Sequence, residues 1–226
     1  MDSMNNPKVS ESKTPKVTRF ECPKADWIRV VNAARRTWGK EPINKEPSVK
    51  FKKEILLAEH SPIRLLEYDF TISNIRQWVT VHLVRHHMGC EKFVHTQRQD
   101  INEEIEKITA EVIKQLSEVN MLREGWKERD YMFQGETNDM DMTCNAQAFI
   151  NISRKRLCKG CASYETRMAW EIIIEALREI DPILASVCVP ECIYRGGFCP
   201  EIKRCCGFNK SKAGQELLKK YHEIPE

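Results

Sequence analysis

The segment from residue 85 to residue 100, RHHMGCEKFVHTQRQD, holds the densest set of side chains that could bind an anion. Between Arg85 and Arg98 the chain places three histidines, a lysine, a threonine and a glutamine. Arginine forks match the oxygens of a phosphate, and hydroxyl and amide groups add neutral hydrogen bonds. The pattern is typical of a phosphate-binding loop or, as the alternative, of a solvated surface loop. A zinc site is disfavoured, because adjacent histidines cannot readily share one tetrahedral ion.

A second candidate is NAQAFINISRKRL, residues 145–157. On a helix, Asn145, Ala148, Ile152 and Arg156 advance in steps of three and four, so the polar groups at the two ends share one side. Arg156 could therefore reach a ligand held beside this helix. The alternative is a charged turn at the helix C-terminus, where cations offset the helix dipole.

The ten cysteines are unevenly spaced. Four in the last forty positions could bind zinc tetrahedrally and hold a loop-rich extension in place: Cys188, Cys192, Cys199 and Cys205. Buried free thiols, or a disulfide in an oxidising compartment, are the alternatives. Cys158-Lys-Gly-Cys161 is typical of a redox or metal hairpin, but it follows Arg156 so closely that it could join the same site or simply pack.

The elements that must position these residues follow from hydrophobic spacing. EYDFTI, residues 67–72, alternates as a half-buried strand, and Ser73 is predicted to cap a helix carrying Ile75, Val79 and Leu83 and ending near His86. The spacing predicts further helices from Asp26, a candidate N-cap, to Gly39, over residues 101–124 and 144–157, and over 163–180, which Ser163 is predicted to cap. Residues 49–59 suit a short helix slightly better than a strand. Residues 125–143 are predicted to be a polar connection.

Length and composition limit the class of protein. The chain has 226 residues, 26.4 kDa, a net charge of +3 and a mean hydropathy of −0.53. No apolar run approaches the roughly 20 residues of a membrane span, and the charge is too small to indicate a nucleic-acid binder. The N-terminal residues lack the apolar core of a signal peptide, which predicts a cytosolic, or cytoplasmic, protein. We expect a flexible tail over 1–25, a main domain over 26–185 and a cysteine-rich extension over 186–226.

Three segments, taken in order, resemble the flavin-dependent thymidylate synthases: EHSPIRLLEYDFTI, LVRHHMGCEKFVHTQRQD and NAQAFINISRKRL. The family has an Arg-His-Arg triplet followed about ten residues later by a Ser-x-Arg pair. Here the triplet is Arg85-His86-His87, and Thr96 and Arg98 match the pair. The resemblance covers about residues 27 to 182. It implies an α+β fold with an antiparallel-type sheet flanked by helices, assembled as a homotetramer.

The resemblance also implies an activity. Such an enzyme binds FAD at subunit interfaces, takes hydride from NADPH and converts dUMP to dTMP with the carbon of methylenetetrahydrofolate. Carried over by position, the FAD contacts are Arg85, His86, His87 and Asn151. The dUMP contacts are His82, Thr96, Arg98 and Arg156, and Arg156 is also the implied catalytic residue, set against the pyrimidine carbonyl edge. An arginine there would stabilise charge developing on the ring.

Two alternatives stay open at the level of sequence. One keeps flavin and folate but makes another C5-modified pyrimidine nucleotide, such as a hydroxymethyl product. The other is a metal-stabilised nucleotide-binding protein without catalysis, motivated by His87 in place of the family's arginine together with the cysteine tail.

Overall fold

The fold is a four-stranded antiparallel sheet with helices packed against it, in the order β1-β2-β4-β3. The computed structural model describes residues 14–24, 26–98, 101–131 and 135–225. The strands are β1 (Lys16–Lys24), β2 (Glu67–Arg76), β3 (Cys90–Val94) and β4 (Thr137–Asn145). The helices are α1 (Trp27–Thr37), α2 (Val49–Leu57), α3 (Gln77–Leu83), α4 (Glu103–Glu118), α5 (Ala146–Arg156), α6 (Tyr164–Ile180), α7 (Pro182–Ala185), α8 (Glu191–Tyr194) and α9 (Lys212–His222). The predicted α+β class with an antiparallel sheet is confirmed.

The core lies between the sheet and α5 and α6. Phe70 on β2, Phe149 on α5 and Trp170 on α6 are fully buried and form a chain of ring contacts, with Phe149 5.8 Å from Trp170 between ring centroids. Burying large aromatic side chains supplies much of a core's stabilisation, about 25 cal/mol per Å² of apolar area. Helix α5 buries Phe149 and Ile152 in this core, so one face of the helix is fixed and its other side can position side chains.

Several sequence predictions match the structure at the capping residues. Asp26 caps α1 by accepting a hydrogen bond from the Arg29 amide, and Ser163 caps α6 by accepting one from Thr166. The ambiguous segment 49–59 contains a helix, α2, which Ser48 caps. Capping side chains satisfy amides that have no partner inside the helix, so these signals are readable from sequence.

The predicted connection over 125–143 is wrong in its second half, where β4 forms the interior strand between β2 and β3. Along β4, the buried side chains of Met140, Met142 and Cys144 alternate with the half-buried side chains of Asp139 and Asp141, which is the burial pattern of a strand. Aspartate is depleted in strands, which concealed this one. As a result Asn145 is not inside a helix: it ends β4 and caps α5.

The helix predicted from Ser73 begins later than expected. β2 continues to Arg76 because Ile75 and Arg76 still pair with β4, past an irregularity at Asn74, whose φ is +61°. The helix that follows, α3, ends at Leu83. The α4 helix is likewise shorter than the predicted 101–124.

The predicted boundaries of the tail and the extension also change. Residues 16–24, placed in the tail, form edge strand β1, while residues 1–13 lie outside the described part of the chain. In the 186–226 extension, Val187, Cys192, Ile193 and Tyr221 are buried in the same core as the sheet. The extension therefore packs as part of the main body. Within the described ranges, no helix is long and apolar enough to cross a bilayer.

Candidate functional site

Arg156, at the end of α5, lies against the loop that follows α3. Its Nε donates to His86 Nε2 at 2.9 Å, and its Nη2 donates to the main-chain carbonyl of His82. The hydrogen bonds join residues 70 and 74 positions apart. Two of the sequence segments that were predicted to carry chemistry therefore meet at one guanidinium.

Both histidines of this cluster have a pKa below the ordinary value for histidine. Burial and the charges of Arg156 and Lys92 lower the pKa of His86 to about 4, and burial with Arg156 and Arg85 lowers the pKa of His82. Because His86 Nε2 accepts from Arg156, the neutral ring carries its proton on Nδ1. His82 Nδ1 lies 2.8 Å from the hydroxyl of Thr166 on α6.

The charge at this site is positive and uncompensated. Burial and the nearby Arg85 lower the pKa of Arg156 from its ordinary value, which shows that two like charges share the region. In the part of the chain that the structure describes, no carboxylate forms an ion pair with Arg85 or Arg156. An anion bound here would relieve both the repulsion and the cost of burying the charge.

A cavity of about 410 Å³ opens beside the first turns of α5. It is lined mainly by polar residues: Glu59, Arg64, Met88, Gly89, Asn145, Gln147 and Asn151. A volume of this size suits a small ligand or part of a larger one. Met88 and Gly89 belong to the same loop as His86, so the cavity and the Arg156 cluster share α5 and this loop.

The position of this loop depends on close packing at Gly89. Its φ is +70°, and a Cβ there would lie 2.4 Å from Asn145 Nδ2. The Gly89 carbonyl accepts from the Asn145 amide at 2.9 Å, and Asn145 Oδ1 accepts from Ala148 at 2.9 Å. Glycine is required because only it combines a left-handed backbone with so close an approach.

The floor of the cavity is an ion-pair network. Glu59 accepts hydrogen bonds from Gln147 and Arg154, and Arg154 also stacks on Tyr194, with its guanidinium carbon 3.5 Å from the ring centroid. Asn151, which also lines the cavity, accepts from Arg154 at its Oδ1 at 3.2 Å. Of the residues named here, only Asn151 has a role predicted from the sequence. Glu59 and Arg64 lie in the EHSPIRLLEYDFTI segment, but no individual role is predicted for them.

The remaining predicted residues lie on the surface. Arg85 and His87 are exposed, and so are Thr96 and Arg98 on the loop after β3. Thr96 Oγ1 accepts from the Arg98 amide at 3.1 Å, so the predicted pair is at least held in one turn. Between them, Gln97 has a buried Nε2 with no hydrogen-bond partner among the described residues. A buried donor without a partner costs about 1–3 kcal/mol, and such a donor is suited to a ligand oxygen.

The four cysteines predicted to bind zinc do not form a group. Cys188 is buried and its thiol interacts with Ser153, whereas the thiols of Cys199 and Cys205 in the extension interact with each other. Within the described ranges, no three candidate ligand side chains stand close enough to hold a metal ion.

Over 77–78% of the chain, the fold resembles solved structures of nucleotide-modifying enzymes. The UMP/dUMP methylase PolB from Streptomyces cacaoi, bound with 5-Br dUMP, is 16% identical, with a TM-score of 0.56, over 77% of this chain and 93% of that chain. ThyX thymidylate synthase from Helicobacter pylori, with FAD and dUMP, is 16% identical, with a TM-score of 0.56, over 78% of this chain and 98% of the other.

A second Helicobacter pylori ThyX structure, complexed with FAD and dUMP, is 17% identical with a TM-score of 0.55. No protein-family model matches the sequence, and no curated protein matches it. At these identities the similarity concerns the fold alone. The chain has a ThyX-like fold.

Proposed function

We propose that this chain is a flavin-dependent enzyme that modifies C5 of dUMP, and specifically an FAD-dependent thymidylate synthase with methylenetetrahydrofolate as carbon donor and NADPH as reductant. The observation that carries the proposal is the contact of Arg156 with His86 and the His82 carbonyl. Two of the three segments that resemble the family in sequence meet there, in a fold of the same kind.

The residues present fit a flavin nucleotide in their chemistry. Arg64, Gln147 and Asn151 face one cavity with amide and guanidinium groups, which suit phosphate and ring oxygens. With Arg85, His86 and His87 they are the groups that would hold FAD. FAD supplies hydride transfer when bound; the protein supplies position and positive potential. In a homotetramer, the exposed Arg85, His87, Thr96 and Arg98 would complete a site shared between subunits.

Arg156 would bind the uracil carbonyl edge of dUMP. His86 and the His82 carbonyl use two of its donor groups, which fixes the plane of the guanidinium and leaves the other N–H groups for a ligand. A fixed, partly buried cation stabilises negative charge developing on the pyrimidine oxygen without reorganising during the reaction. Thr96, Arg98 and the unpartnered amide of Gln97 would hold the phosphate or sugar.

The test is NADPH oxidation by the FAD-loaded protein with and without dUMP, together with the mass of the nucleotide product. We expect dUMP-dependent oxidation and a product heavier by one methyl group. Arg156→Ala should reduce turnover at least about 100-fold, the scale of losing one charge-stabilising donor, while FAD binding persists. Lys155→Ala is the matched control, because Lys155 is on the same turn but pairs with Glu191 at 3.6 Å. Equal turnover of both variants would refute the role of Arg156.

A second substrate deserves the same assay, because one structural neighbour is a UMP/dUMP methylase. Competition between UMP and dUMP at equal concentration shows which of the two nucleotides the enzyme prefers as its substrate. A hydroxymethyl product would identify the other C5 modification, and nucleotide binding without NADPH oxidation in folded protein would indicate a protein that binds but does not catalyse.

A further inference from the structure

Cys90 on β3 lies directly opposite Cys144 on β4, and the register continues from there without a shift along the rest of β3. One position before Cys90, the Asn145 amide donates to the Gly89 carbonyl at 2.9 Å. Hydrogen-bonded and non-hydrogen-bonded pairs alternate along an antiparallel ladder. Cys90 and Cys144 therefore form a non-hydrogen-bonded pair, the kind in which the two side chains lie closer together.

This position brings the two cysteines within range of a disulfide. Opposite residues of a non-hydrogen-bonded pair have Cα atoms about 4.5 Å apart, and the Cα atoms of a disulfide are about 4.4–6.8 Å apart. Both thiols are free, and both side chains are buried in the core, with Cys90 2% and Cys144 0% exposed. The two thiols interact with each other there. A bond between them is thus compatible with the existing register of the strands.

The two thiols differ in their readiness to react. The interaction with Cys144 lowers the pKa of Cys90, and the charge of Lys92 acts in the same direction against the opposing effect of burial. Lys92 Nζ is fixed nearby, since it donates to the Cys90 carbonyl at 2.7 Å and to the His86 carbonyl. Burial raises the pKa of Cys144 well above its ordinary value. Because the thiolate is the nucleophile, Cys90 is the thiol that attacks first.

We propose that Cys90 and Cys144 are a redox-modification site, a dithiol that a small peroxide oxidises to a disulfide between β3 and β4 and that a thiol reductant restores. Gly89 and Asn145, the sequence neighbours of the two cysteines, line the cavity of about 410 Å³. The cavity offers a small oxidant a route toward the pair. The dithiol chemistry does not depend on the proposed nucleotide chemistry, because it rests on strand register and burial.

The oxidation takes two steps. The Cys90 sulfur attacks one oxygen of hydrogen peroxide, the O–O bond breaks, and the departing hydroxide takes the Cys90 proton and leaves as water, so Cys90 becomes a sulfenic acid. The Cys144 sulfur then attacks the Cys90 sulfur, the S–O bond breaks, and the hydroxyl group leaves as a second water with the Cys144 proton. The two thiols lose two electrons, which the peroxide gains. Exchange with an added dithiol returns both cysteines to thiols and oxidises that dithiol.

The bond would fix edge strand β3 at its end beside the cavity. It closes the chain between residues 90 and 144 into one loop, which restricts the unfolded chain and so stabilises the folded one. It would also tie Gly89 covalently to Asn145, the cap of α5, through their neighbours in sequence.

The test is peptide mapping of the reduced, full-length protein after titration with hydrogen peroxide. The remaining thiols are blocked with N-ethylmaleimide, and the protein is digested without reduction. We expect a peptide that joins Cys90 to Cys144, two hydrogens lighter than the sum of its parts, and dithiothreitol should abolish it. Oxidation confined to other cysteines up to an excess of peroxide would overturn the proposal, as would a link that forms only in the urea-unfolded protein.

Two variants test which thiol attacks. Cys144→Ser should accumulate a sulfenic acid on Cys90 that dimedone traps. Cys90→Ser should give at least about tenfold less dimedone label on Cys144. Equal labelling of the two variants would contradict the assignment of Cys90 as the nucleophile.

Urea unfolding tests the effect of the bond on the fold. The oxidised wild type should unfold at a higher urea concentration than the reduced wild type. Cys22→Ser should keep this shift, and Cys90→Ser should lose it. The mapping uses the wild type alone, so it decides the proposal even where a variant fails to fold. Equal urea midpoints for linked and reduced wild type would contradict the stabilisation.

Discussion

His86 is the residue whose protonation most directly affects the candidate site. Its pKa of about 4 in the folded protein lies below the ordinary 6.5, so between these values the unfolded chain binds more protons. The contribution of His86 to stability is present above pH 6.5 and is lost as the pH falls toward 4. His86→Asn keeps an acceptor for Arg156 but does not titrate.

We therefore expect the wild type to lose about 1 kcal/mol more unfolding free energy than His86→Asn between pH 7 and pH 5, allowing for solvent screening of the half-buried ring. Urea unfolding at the two pH values measures this difference, and the contributions of groups that do not interact with His86 cancel. Parallel losses in the two proteins would mean that the ring is not held neutral by burial and Arg156.

Gly89 tests whether close packing positions the cavity. Gly89→Ala must place a methyl group onto the Asn145 side chain and also adopt a left-handed φ. Gly39→Ala is a matched control, because Gly39 has φ +64° but nothing lies within 4 Å of its Cβ position. The conformational cost of about 1 kcal/mol is common to both.

Displacing the Asn145 cap should lower the unfolding free energy of Gly89→Ala by about a further 1 kcal/mol, and this loss should be absent from Gly39→Ala. Urea unfolding should show this excess, and FAD binding should weaken only in Gly89→Ala. Equal losses of stability and unchanged FAD affinity would show that the loop accommodates the methyl group.

At the scale of elements, β2 and α7 are joined by a buried polar contact. The Tyr68 hydroxyl donates to Asp181 Oδ2 at 2.7 Å, and Asp181 Oδ1 caps α7 by accepting from Leu184. Burial and Asp181 raise the pKa of Tyr68, so the phenol stays a donor throughout the accessible pH range. Tyr68→Phe should cost about 1–3 kcal/mol, because it leaves a buried carboxylate oxygen without its partner.

Urea unfolding of Tyr68→Phe measures that cost. Tyr164→Phe is the control, since Tyr164 is 65% exposed on α6 and should change stability by less than about 0.5 kcal/mol. Similar stabilities for the two variants would show that the Tyr68–Asp181 contact does not stabilise the packing of the sheet against its helices.

The elements also show what could be predicted from sequence. Caps at Asp26 and Ser163 and the alternation of residues 67–72 depend on local chemistry, and these predictions were right. Strand β4 and edge strand β1 depend on pairing with β2 across 43 or more residues, and the aspartates and asparagines of β4 do not favour a strand. The proximity of Arg156 and His86 could be predicted only because both residues lie in segments that resemble a known family. The Glu59–Arg154 network was missed, since neither residue shows a periodic or motif signal of its own.

At the scale of the whole molecule, large apolar side chains are left exposed around α4. Only Ile105 and Thr109 of that helix are buried, while Val119, Met121, Leu122 and Trp126 beyond its end are 45–63% exposed. Phe93, on edge strand β3, is 62% exposed. A concentration of exposed apolar residues marks a protein interface. On the proposed function, in which subunits share a site, we expect copies of the chain to cover these surfaces.

We expect light scattering after gel filtration to give four times the 26.4 kDa chain mass, the homotetramer implied by the resemblance. Leu122→Glu should dissociate the assembly, because a charge cannot be buried without a partner, and should weaken FAD binding as subunits separate. Ile202→Glu, at a residue 80% exposed in the extension, is the control and should change neither mass nor FAD affinity. A monomeric wild type that binds FAD at full stoichiometry would refute a site shared between subunits. A tetramer that persists in Leu122→Glu would place the interface elsewhere on the surface, and the exposed Phe93 edge would then be the next surface to change.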